Sequence, residues 1–219
     1  IESGTTILFG SGSSFRINSD GNANYKGAFQ ADGVTFMSRD SSDYGWDGIF
    51  LYNHTVDSLT YIRNSVIAHA DYGLWSEAND GIDISGNTFR GCNIVGVEIA
   101  GGTPQITNNK FINNVNAIYA QDYSIPLITG NTIRGTNGHS VHIGAKWIRG
   151  NIYNNTYEDN SQQYIYVYTN SLDEDMTYVW SRDNVPYHVV GDIVVQANND
   201  AGHVPVLQIE SGTTILFGS

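Results

Sequence analysis

The sequence has a single cysteine, only ten lysines and arginines in 219 residues, and no apolar run near the roughly eighteen residues that a membrane-spanning helix requires. Each scarcity excludes something. A lone Cys92 rules out an internal disulfide and any cysteine-based zinc cluster. With a net charge of −12 and so few cations, neither nucleic acid nor an anionic membrane is expected as a partner, because both are held through clustered Lys and Arg. Charged residues make up only 15%, which leaves little material for the Lys- and Glu-rich faces of surface helices and argues against a helical bundle. No leader-like segment opens the chain at Ile1, so it reads as a mature or excised piece of something longer. What is abundant is glycine, at 24 residues, and nearly as much asparagine, a composition of many turns. Cations and neutral sugars remain as partners.

The ends repeat. IESGTTILFGS spans Ile1 to Ser11 and recurs unchanged from Ile209 to Ser219, an offset of 208 residues. Such an identity predicts a tandem array in which 1–208 is one module and 209–219 begins the next identical one. The junction is expected at Ile1, Ile7 and Phe9 in one copy and at Ile209, Ile215 and Phe217 in the other, with the first three buried only when a preceding module is present.

A shorter period lies inside the module. Aligned on Asn64, Asn87, Asn109, Asn131 and Asn155, the segments YIRNSV, IDISGNTF, PQITNNKF, PLITGNTI and NIYNNTY recur every 22 to 24 residues. Apolar or aromatic residues precede each asparagine by three (Tyr61, Ile84, Ile106, Ile128, Ile152) and follow it by two (Val66, Phe89, Phe111, Ile133, Tyr157). An earlier turn fits with Phe29, Asp32 and Val34 in the same three places. Three short strands per repeat cannot bury a face alone, but stacked coils satisfy every backbone group from above and below. The expected fold is therefore all-β, a parallel β-helix (β-solenoid) with about 22-residue coils and an internal asparagine ladder.

The GNTF, NNKF and GNTI segments and their trailing strands resemble the repeats of the right-handed parallel β-helix superfamily, which includes pectin-degrading enzymes and many secreted surface proteins. PYHVVGDIVV and PVLQIESGTTILFGS are similar to the entry segment of such domains in large cell-surface proteins of archaea and bacteria. The resemblance covers about 59–167 and 185–219 and implies a right-handed solenoid, extracellular or at the cell surface.

Chemistry is harder to find. A lyase of the kind the resemblance implies would pair calcium-binding carboxylates with a basic residue, and no Lys or Arg stands beside an acidic stack. A hydrolase would need paired aspartates, and Gly138-His139-Ser140 alone does not supply them. The six histidines show no metal spacing beyond His139 and His142. Acidic loops at Asp40, Asp43 and Asp47, at Glu77, Asp80 and Asp83, and at Asp173, Glu174 and Asp175 offer oxygen ligands for loop-bound Ca²⁺ without a recognised spacing, so no cofactor is expected. One outward column stands out. If Val97 and Ile99 face inward, then Phe50, Trp75, Glu98, Tyr119, His142 and Tyr166 share an outer face, suited to cross-strand stacking, lateral fibre packing or sugar binding. Asn53 and Asn154 begin glycosylation sequons, of which Asn53, in a long loop, is taken as the available one.

These readings lead to a non-enzymatic structural module of an extracellular fibre, sheath or surface filament, its partners being identical modules end to end. The alternatives are a polysaccharide-binding adhesin that uses the outward column and, third, a glycan lyase or hydrolase.

Overall fold

The computed structural model describes residues 1–19, 22, 24–40, 45–197 and 202–218. The chain winds into stacked coils with three faces, and every strand pairing between coils is parallel. The first face is a run of nine strands, from Ser13–Ile17 and Trp46–Leu51 through Asn116–Ala120 and Ile165–Tyr168 to Ile215–Gly218. At about 4.8 Å per coil, that stack is roughly 40 Å long. The second face holds Gln30–Asp32, Tyr61–Arg63, Leu127–Thr129 and Ile152–Tyr153, joined by the far ends of the long bent strands Ala70–Ser85 and Val95–Thr107. The third face has seven strands, from Thr6–Phe9 to Thr156–Glu158.

Alternation along each strand sends one residue type into the core at each level. Leu74, Val97, Ile118, Val141 and Ile165 form one fully buried column on the first face, and Ile62, Ile84, Ile106, Ile128 and Ile152 form one on the second. On the third face Phe36, Ile67, Phe89, Phe111 and Ile133 are stacked, with the Phe89 and Phe111 rings 5.2 Å apart and nearly parallel.

The turn between the second and third faces explains the asparagines. At its apex, residues 33, 64, 86, 108, 130 and 154 all have left-handed backbone, and they alternate Gly, Asn, Gly, Asn, Gly, Asn. A Cβ on Gly86 would lie 2.7 Å from Asn64 Oδ1, and one on Gly130 would lie 2.4 Å from Asn108 Oδ1. The amides of Asn64 and Asn108 each lean over the next apex, so only glycine fits at Gly86 and Gly130. The following residue forms a buried polar column. Asn87, Asn109, Asn131 and Asn155 each use Oδ1 to accept the backbone N–H of the preceding coil at 2.9–3.1 Å, and each donates Nδ2–H to the carbonyl of Ile62, Ile84, Ile106 or Ile128.

Asn64 does not belong to that column. It sits at the apex, exposed, and Ser65 takes the buried place, donating its N–H to Asn87 Oδ1. The register accordingly moves by one residue at the Asn64 turn and by two at the turn before it. Ile62 and Ile67 face inward in place of Tyr61 and Val66, and Ala31, Val34 and Phe36 take the three places expected for Phe29, Asp32 and Val34, with Phe29 still buried in the core beside them. The reason is that asparagine suits both the left-handed apex and the bonded site, so asparagine alone does not distinguish them.

A second turn repeats the device with mixed residues. His69, Gly91, Asn113, Gly135 and Asp159 are left-handed, and Asn114 and Asn160 accept the N–H of Cys92 and Thr136 at 2.9 Å.

The identical terminal segments occupy different places. Thr6–Phe9 lies on the third face beside Thr35–Ser38, whereas Ile215–Gly218 lies on the first beside Tyr187–Val190. Both turn at a left-handed glycine, Gly4 or Gly212. By the second copy, however, the described third face has ended at Glu158, and Tyr178, Trp180 and Tyr187 are buried in the core of the later coils. Phe9 is already buried, its ring 4.1 Å from that of Trp46, so it needs no preceding module; Ile7 and Ile215 are half-buried, and Ile1, Ile209 and Phe217 are exposed.

Candidate functional site

On the outer side of the first face, strand register sets Arg16, Phe50, Trp75, Glu98, Tyr119, His142, Tyr166 and His188 in one continuous column. From Phe50 to His188 its members are half-buried rather than bare, because neighbouring side chains cover one another, while Arg16 at its end is exposed. Tyr119 and His142 are 4.2 Å apart, His142 and Tyr166 4.7 Å, and the Arg16 guanidinium lies 4.8 Å from the Phe50 ring.

Two residues farther along each strand is a second outward column, Glu77, Ala100, Gln121, Gly144 and Tyr168. Its small members open an outer groove of about 680 Å³, lined by Trp75, Glu77, Ala100, Tyr119, Gln121, Asp122, Tyr123, His142 and Tyr168. Gly144 is what lets Tyr168 lean back across the coils: a Cβ there would lie 2.9 Å from the Tyr168 ring. The Tyr168 hydroxyl thereby donates to Asp122 Oδ1 at 3.0 Å, and Trp147 Nε1–H donates to the same oxygen at 3.1 Å. Tyr123 stands beside the groove in left-handed backbone, 76% exposed, with its ring 5.2 Å from Trp147.

Burial sets the charge states. Glu98 accepts a hydrogen bond from Gln121 Nε2, yet loss of water raises its carboxyl above the ordinary 4.5. Burial, with a smaller contribution from His139, holds His142 down to about 4, so its ring is neutral near pH 7. The Nδ1 of His142 is buried with no protein hydrogen-bond partner. Cys92, at the other turn, is pushed by burial up to about 12 and stays a protonated thiol.

A pH dependence follows. The unfolded chain takes up the His142 proton near pH 6.5 and the folded chain only near 4, so stability falls as pH is lowered across that window. His139 and His69, also lowered by burial, act in the same sense. Glu98 and Asp57, both raised, act oppositely toward the acid end. Thermal melts between pH 7 and 4.5 should show the decline in the parent protein and a flatter profile in His142→Phe; equal slopes would remove His142 as its source.

The remaining candidate residues are scattered. Asp47, Asp83 and the Asp173–Glu174 pair are engaged by Arg16, Arg63, and Lys146 with Arg149. Asp43 lies outside the described residues. Among the described residues no group of three His, Cys, Asp or Glu side chains is arranged to hold a metal. Asn53 is half-buried, its N–H bonded to Glu77 and its carbonyl to Asn18, whereas Asn154 is an exposed turn apex. Of the two sequons, the second is the more accessible, because the solenoid turn projects its apex outward. Sequence reasoning missed Gln121, Asp122 and Tyr168; the outward alternation that found Glu98 also marks Gln121 and Tyr168.

Residues 10–177 match the family described as "Right handed beta helix region". No curated protein and no solved structure matches the chain.

Proposed function

We propose that this chain, which belongs to the right handed beta helix family, is a solenoid module that binds glycans on its outer face, outside the cell or at its surface, without turning them over. The observation that carries the reading is the groove itself. Trp75, Tyr119 and Tyr123 offer ring faces to sugar C–H groups, and Glu77, Gln121 and Asp122 offer hydrogen-bonding groups for hydroxyls. Its volume, about 680 Å³, falls within the range of small-molecule sites.

Calorimetric titration against a panel of neutral polysaccharides tests this. Binding is expected, weakened about tenfold or more by Trp75→Ala or Tyr119→Ala at unchanged fold. No binding to any member of the panel would sink the reading. An end-to-end filament is the second reading. The recurrence of IESGTTILFGS favours it, while the different faces taken by the two copies count against a simple screw repeat.

A further inference from the structure

We infer that the groove discriminates by charge, rejecting acidic glycans and favouring chains of protonated amino sugars. The inference rests on the glycan-binding reading and narrows its ligand class. Among the described lining residues none is Lys or Arg, while Glu77 and Asp122 carry carboxylates. A third acidic side chain, Glu98, lies next to the lining between Trp75 and Tyr119 in strand register, half-buried and bonded to Gln121. The neighbouring hollow shares Asp122 and Tyr123 and contains Lys146, but that ammonium is paired with Asp173 and, at 3.3 Å, with Glu174.

Three donors hold Asp122 by one oxygen. Tyr168 Oη, Trp147 Nε1 and Asn170 Nδ2 approach at 3.0, 3.1 and 3.4 Å, and all three address Oδ1. Oδ2 receives none of these bonds. A sugar ammonium at Oδ2 would gain a charge-assisted hydrogen bond, and the aromatic faces along the groove favour further ammonium groups of the same sugar chain. A uronic acid carboxylate in that position would instead face like charge with no cation to compensate.

The test is titration with β-1,4-linked hexamers of glucosamine, N-acetylglucosamine and a uronic acid at pH 5.5, in low and moderate salt. The glucosamine hexamer is expected to bind about tenfold or more tighter than its acetylated counterpart, with the uronate weakest. Added salt should shrink the first difference. In a Glu77→Gln/Asp122→Asn double variant, shown by melting to be folded, the ratio between the first two should approach one. A ratio near one or inverted in the parent protein overturns the charge inference and leaves glycan binding standing. So does binding of a neutral panel member without binding of the glucosamine hexamer. Failure of every glycan defeats the underlying reading as well.

Discussion

Replacing Asn109 by leucine, a side chain of similar size, is expected to destabilise the protein by about 2–6 kcal/mol, because two buried main-chain groups lose their partners at about 1–3 kcal/mol each. The amide is 1% exposed. Its Oδ1 accepts the Asn87 N–H at 2.9 Å and its Nδ2–H reaches the Ile84 carbonyl at 2.8 Å, with a further contact to Asn131 Oδ1 at 3.2 Å. Leucine supplies neither donor nor acceptor, and the coil on each side is too close for water to substitute. For a chain of this size the midpoint should drop by about 2–4 °C per kcal/mol. Asn64→Gly is the companion measurement. Asn64 is an exposed left-handed apex, and glycine occupies that place at Gly86 and Gly130, so a change within about 1 kcal/mol is expected. Equal losses from the two variants would refute the separation of apex and buried columns.

Trp46→Ala should cost about 3–5 kcal/mol, the usual range for removing a buried tryptophan. Trp46 has no exposed surface, stacks on Phe9 at an interplanar angle of 9°, and donates Nε1–H to the Ala68 carbonyl at 3.0 Å. The loss is expected to be local, since each coil of a solenoid contacts chiefly its neighbours. Amide exchange should accelerate in Thr6–Phe9 and Thr35–Ser38, while Val95–Thr107 and Asn116–Ala120 keep their protection. Uniform acceleration along the whole stack would show a single cooperative unit in place of coupled coils, and a loss below about 1 kcal/mol would contradict the packing at this end.

The repeat from Asn87 to Asn155 was legible because each turn there writes its apex and its bonded asparagine as GN or NN. The outward column from Phe50 to Tyr166 was legible for a similar reason, strand alternation being a local property. The second polar column was not, since asparagine holds only two of its places, Asn114 and Asn160, and at Cys92 and Thr136 the bonded group is the backbone N–H, which every residue other than proline carries. The groove was only half legible. Tyr168 and Asp122 are 46 residues apart and meet because Gly144, on the coil between them, lacks a side chain.

What the sequence determined by itself is the coil: its length, its inward residues over most of the chain, and its left-handed turns, all of which depend on residues within one period. What only the tertiary structure decided is which edge each strand meets. IESGTTILFGS demonstrates the difference, with one sequence, two left-handed glycine turns and two destinations. Thr6–Phe9 finds the edge of Thr35–Ser38 on the third face, and Ile215–Gly218 finds Tyr187–Val190 on the first. Backbone hydrogen bonds between parallel strands carry no side-chain code, so a strand pairs with the edge that the preceding coil presents, and beyond Glu158 the described coils present none on the third face.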